Sequence, residues 1–151
     1  MQIGEIFGIK IYHYSGCLNF VNSGQLPLDM YNKIGLNPTE VMKYRAKIAK
    51  NNSRIYAERD DYNQYSSIRC VVLDMSSVTH LDSSGVAVLR EVVENYSLID
   101  VPVFLASCSP SVYDFINQCE KLHKKEMGFM VFATIHDAVF FAQRELVTKN
   151  S

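Results

Sequence analysis

The sequence predicts an α/β fold, a mostly parallel β-sheet packed with about four to five helices, and three observations carry that expectation. Cys70-Val71-Val72-Leu73 is a continuous apolar run rich in β-branched residues, the composition of a central strand covered on both faces. Val86, Leu89, Val92 or Val93, and Tyr96 follow at helical spacing, so a strand period gives way to a helix period within one short segment. The same exchange recurs from Val101–Ala106 into the residues after Pro110, and from Met130–Ala133 into those after Thr134. Strands that alternate with helices imply parallel pairing through right-handed crossovers.

Taken in order, Ile6 to Tyr14 alternates, with Phe7, Ile9 and Ile11 on one face and Lys10 facing out, as a strand requires. Ser15-Gly16 reads as a turn, and Leu18, Phe20 and Val21 as a second short strand. Asn22 or Ser23 caps a helix bearing Leu26, Met30 and Ile34, with Pro27 in its first turn and Gly35 at its end. Asn37-Pro38 marks a turn, and Thr39 with Glu40 opens a second, basic helix. Residues 51–67 are polar and carry neither apolar period, so they read as a loop that splits the domain without dividing it. After the central strand and its helix, Ser109-Pro110 caps a helix presenting Val112, Phe115, Ile116, Cys119 and Leu122. Thr134 to Asp137 has capping-box spacing ahead of Ala138, Val139, Phe141 and Ala142.

Composition bounds the function. With 151 residues, 48% of them hydrophobic, the chain can bury one core, so one domain spanning 1–151 is expected. Fifteen Lys and Arg against 16 Asp and Glu leave a net charge of -1, which offers no global field for nucleic acid. Cys17, Cys70, Cys108 and Cys119 show no CxxC and sit among apolar residues, as reduced, buried thiols do. The N-terminus lacks a secretory pattern, and no apolar run approaches the roughly 20 residues that span a bilayer. The expectation is a soluble cytoplasmic piece, compatible with excision from a longer membrane protein.

In Leu81-Asp82-Ser83-Ser84-Gly85, three small polar side chains and a glycine stand where the chain leaves a sheet and enters a helix. One reading is structural: Asp82 or Ser83 caps the helix and Gly85 permits tight packing. The other is functional: a helix N-terminus with free amides and an exposed hydroxyl forms an anion or phosphoryl site. Both stay open at the level of sequence.

The phrase VVLDMSSVTHLDSSGVAVL resembles the signature of the STAS domain, shared by bacterial anti-sigma-factor antagonists and by the tails of sulfate-permease family anion transporters. GIKIYHYSGCLNFVNSGQL, NKIGLNPTEVMKYRAKIAK and FATIHDAVFFAQ resemble the transporter branch, in particular animal members such as prestin and pendrin. The resemblance implies a STAS-type fold and a non-enzymatic regulatory and assembly domain without cofactor. It further implies attachment to the transmembrane anion-transport domain of the same polypeptide, on the cytoplasmic face of a membrane, in a homodimeric transporter of sulfate, chloride or bicarbonate-type anions. In the antagonists the second serine of this turn accepts phosphate, which by position is Ser84, with Asp82 alongside. The alternative is therefore a free-standing phosphoswitch using Ser84. Weak anion or nucleotide binding at Ser83, Ser84 and Gly85 is a further expectation, although no GxxxxGK[ST] loop is present.

Elsewhere, Lys43, Arg45, Lys47 and Lys50, continued by Arg54 and Arg59, form a basic stretch suited to anionic headgroups or an acidic partner, or simply to a solvated helix face. Cys119 and His123 lie one helical turn apart, but Cys119 continues a core stripe, so no metal is expected there. His13, His80 and His136 are scattered in sequence and come with no HExxH.

Overall fold

In the computed structural model, residues 3–6, 8–51, 67–123 and 128–149 are described. Five strands form one sheet in the order β1-β2-β3-β4-β5: β1 (Ile3–Ile6), β2 (Ile9–Leu18), β3 (Cys70–Leu81), β4 (Val103–Ala106) and β5 (Met130–Phe132). β1 pairs antiparallel with β2, and β2 to β5 are parallel. The helices are α1 (Leu26–Ile34), α2 (Pro38–Asn51), α3 (Ser83–Ser97), α4 (Pro110–His123) and α5 (Ile135–Lys149), with a 3-10 turn at Ser23–Gln25. The α/β expectation holds, with four parallel strands and five α-helices among the described residues. The polar loop expected over 51–67, including Arg54 and Arg59, lies almost wholly outside the described residues.

The two faces of the sheet are covered unequally, and strand alternation dictates it. Tyr12, Val71, Leu73, Met75 and Leu105 point to a large core closed by α1, α2, α3 and α4. Ile9, Ile11, Cys70, Val72 and Phe104 point to a smaller core closed by α5 through Ala138, Val139 and Ala142. Each fully buried aliphatic side chain in these cores stabilises by about 1.5–3 kcal/mol relative to exposure. In the larger core the Tyr31 and Tyr96 rings meet edge-on at 5.4 Å, and the Tyr96 hydroxyl donates to the Leu36 carbonyl at 2.9 Å.

Several local expectations are corrected. Ser15-Gly16 is not a turn: β2 runs unbroken from Ile9 to Leu18 beside β3, with register shifts at His13/Ser15 and Gly16/Cys17. Gly16 adopts φ 112, a conformation glycine supplies to a β-bulge as readily as to a turn. Phe20 and Val21 are not a strand but lie in a turn after β2, 78% and 74% exposed. Neither Asn22 nor Ser23 caps α1 with its side chain. Pro38 is the first residue of α2, and Asn37 caps it, its Oδ1 accepting from the Thr39 amide at 3.0 Å. Leu122 is 82% exposed rather than core. Gly35 does end α1, at φ 78, and Ser109 and Thr134 do cap α4 and α5, accepting from the Val112 and Asp137 amides.

Candidate functional site

β3 ends at Leu81, and Asp82 follows in extended conformation as the N-cap of α3. Its Oδ1 accepts from the Gly85 amide at 2.9 Å, satisfying one of the donors that every helix start leaves open. Its Oδ2 accepts from the Phe20 amide at 3.1 Å, and its own amide donates to the Leu18 carbonyl at 3.1 Å. One residue thus joins the end of β2, the turn that follows it, the end of β3 and the start of α3.

Gly85 is buried, and close approach explains why a glycine stands there. A Cβ at this position would lie 2.4 Å from the Leu18 carbonyl oxygen and 2.7 Å from Leu81 Cδ1. Asp82, Ser83, Ser84 and Gly85 therefore divide by role. Asp82 and Gly85 are committed to structure, Ser84 is half-buried, and Ser83 is exposed. Both carboxylate oxygens of Asp82 accept from backbone amides, an arrangement that holds the turn.

The exposed pair Phe20 and Val21 sits against this turn, held by the Phe20 to Asp82 bond and by an Asn-rich knot. Asn19 Oδ1 accepts from the Val21 and Asn22 amides, and Asn22 Oδ1 accepts from the Asn19 amide. The sequence reading placed these two residues in a strand and not beside the turn. The signal was present in Asn19-Phe20-Val21-Asn22, two asparagines at turn spacing, which favour side-chain-closed turns over strands.

The basic candidates separate by helical phase. Lys43, Lys47 and Lys50, at i, i+4 and i+7, share one exposed face of α2. Arg45 points away from them, and its Nη1 lies 3.8 Å from Asp100 Oδ2.

Sequence distance also hid a half-buried contact between two polar side chains. His13 Nδ1 lies 2.6 Å from Asp74 Oδ2, on the face covered by α5, and Asp74 Oδ1 accepts from the Ser76 amide at 3.0 Å. Burial alone would raise the Asp74 carboxyl, but the Ser76 amide and His13 outweigh it and hold it below the usual carboxylate range. Of the cysteines, Cys70 and Cys119 are buried and Cys17 and Cys108 half-buried, all four free. Burial pushes Cys70 up to about 12 and, with Asp74 nearby, Cys108 up to about 11. Among the described residues no cluster of three or more His, Cys, Asp or Glu could hold a metal ion, and no helix is long and apolar enough to cross a membrane.

Comparison with known proteins places this geometry. The STAS domain family model matches residues 1–138. The chain belongs to the STAS domain family. Within it, the sulfate transporter of Rattus norvegicus is 30% identical over 146 residues, covering 90% of this chain and 20% of the relative. The structure of SLC26A9 superimposes with a TM-score of 0.73 at 30% identity, over 96% of this chain and 21% of that one. This STAS domain thus spans about a fifth of the length of the transporters it matches. The anti-sigma factor antagonist SpoIIAA in its unphosphorylated form shares the fold, with a TM-score of 0.50 at 10% identity over 95% of this chain and 96% of that one.

Proposed function

We propose that this STAS domain is the non-enzymatic regulatory and assembly domain of an anion transporter, acting through protein contacts at the surface formed by Ser83, Ser84, Phe20 and Val21. The observation that carries it is one juxtaposition. Two exposed apolar side chains sit on a turn whose backbone is tied to Asp82 through the Phe20 amide and to Asn19 through the Val21 amide, beside an exposed serine at the start of α3. Exposed aromatic and β-branched side chains next to a modifiable hydroxyl suit a partner surface whose affinity a phosphate can change. A phosphate on Ser83 or Ser84 adds up to about two negative charges, which the helix dipole favours and Asp82 opposes. Identity supports the transporter branch, since the transporter relatives match at 30% and the antagonist at 10%. In this reading the domain sits on the cytoplasmic face of a membrane. Its partners are the transmembrane anion-transport domain of the same polypeptide and a second copy of the full transporter.

The test is made in the full-length transporter. Phe20→Asp with Val21→Asp, Ser83→Glu and Ser84→Glu are each scored for anion flux and surface delivery. Loss or gain of either with an unchanged fold of the isolated domain supports the proposal; no change in any of the three variants overturns it.

A second reading, a free-standing phosphoswitch using Ser84, draws on the intact Asp82-Ser83-Ser84-Gly85 turn and on the antagonist fold. Transcript mapping separates the two, because an upstream coding region for membrane spans belongs only to the first.

A further inference from the structure

A cavity of about 320 Å³ opens at the opposite end of the sheet from Ser83, and nothing proposed above uses it. It lies where β3 and β4 begin, between α2 and α5. β3 has 12 residues, so at roughly 3.3 Å per residue the two sites stand on the order of 35 Å apart.

The walls are apolar. Val41, Ile68, Val101, Phe104 and Ala142 line the cavity, each less than a tenth exposed, with Leu146 beside them. Among the described residues the mouth is charged and balanced, with Arg45 and Arg69 against Asp100 and Glu145, all four exposed. Asp100 stands there because the tight turn out of α3 places it at φ 61, its amide donating to the Ser97 carbonyl. At 3.8 Å, with side chains 52% and 91% exposed, the Arg45 to Asp100 pair is loose. Exposed pairs of this kind contribute about 0–1 kcal/mol, so a ligand can exchange for either partner at little cost.

The volume is at the small end of ligand pockets, which run from about 300 to 1,000 Å³. It admits a single short chain and excludes a helix. A purely anionic or cationic head would meet two like charges at the mouth as well as two opposite ones. A head bearing both signs can pair its anion with the arginines and its cation with the carboxylates. We infer that this cavity binds a zwitterionic, single-chain amphiphile, its apolar chain among Val101, Phe104 and Leu146 and its head across Arg45 and Asp100.

The test titrates octylphosphocholine, below its critical micelle concentration, into the full chain while methyl chemical shifts are followed. Saturable shifts at Ile68, Val101 and Leu146 are expected, with octanoate and octyltrimethylammonium about two- to five-fold weaker. Arg45→Glu reverses one mouth charge on an exposed side chain and weakens octylphosphocholine, whereas Lys47→Glu, on the far face of α2, does not. Leu146→Trp fills the cavity and abolishes binding. If that variant fails to fold, the wild-type shift map still decides. Shifts that are absent or scattered away from these methyls overturn the inference, as does equal affinity for the three amphiphiles.

Discussion

Phe20 and Asp82 are joined across 62 positions of chain, the Phe20 amide donating to Asp82 Oδ2 at 3.1 Å. The same carboxylate caps α3 through the Gly85 amide. Helix start and surface turn therefore answer to one side chain, and a change at either is felt at the other.

Asp82→Ala removes both bonds. A lost N-cap costs about 0.5–2 kcal/mol, and the freed turn amide places the expected loss near the upper end. Urea denaturation measures it, and amide exchange at Phe20 and Val21 should quicken in parallel. A variant as stable as the parent, with exchange at Phe20 unchanged, would contradict the tether.

Gly85→Ala tests the close approach to Leu18. In an open helical position this substitution stabilises, since glycine is about 1 kcal/mol worse than alanine in a helix. Here the new methyl meets a backbone oxygen at 2.4 Å, and a main-chain carbonyl cannot swing aside like a side chain. Overpacking of this kind costs about 1–3 kcal/mol, so net destabilisation is expected. A rise in the melting temperature would show that α3 does not press on β2 as described.

Asp74 sets an acid dependence. Its folded pKa lies below the unfolded value of about 3.9. The stabilisation is therefore complete above that value and is lost as pH falls through the lower folded one. Asp74→Asn should cost about 1.5–3 kcal/mol at neutral pH, the range of hydrogen bonds to charged groups. The gap between variant and parent should narrow as pH falls below about 4. Urea midpoints for both chains between neutral and strongly acid pH check this, and a gap independent of pH would refute it.

Lys43, Lys47 and Lys50 form a single exposed stripe, and each basic residue near an anionic leaflet contributes about 1 kcal/mol. Replacing all three with Glu should abolish co-sedimentation with phosphatidylserine vesicles at low salt, and raised salt should weaken the parent in the same way. Binding that ignores both lipid charge and salt would reduce the stripe to a solvated helix face.

Much of the fold was legible because its signals are local. The apolar run from Cys70, the helical spacing of Val86, Leu89, Val92 and Tyr96, and the caps at Ser109 and Thr134 each depend on residues a few positions apart. The misreadings at Gly16 and at Phe20-Val21 share a cause. A glycine at positive φ serves a bulge or a turn equally, and only the presence of β3 alongside decides between them. Likewise the four residues 82–85 were visible as a group, but their roles were not, because the partners of Asp82 and Gly85 lie on β2 and in the turn after it.

By itself, then, the sequence determined the alternation of strands and helices, the parallel crossovers, and the family signature centred on Asp82-Ser83-Ser84-Gly85, all properties of short-range pattern. Tertiary structure alone decided that four of the described helices crowd one face of the sheet and one covers the other, that His13 meets Asp74, and that Ser83 is offered to solvent while Gly85 is pressed against Leu18. Those facts depend on contacts between residues some 60 positions apart along the chain, and such contacts exist only once the sheet has set its register.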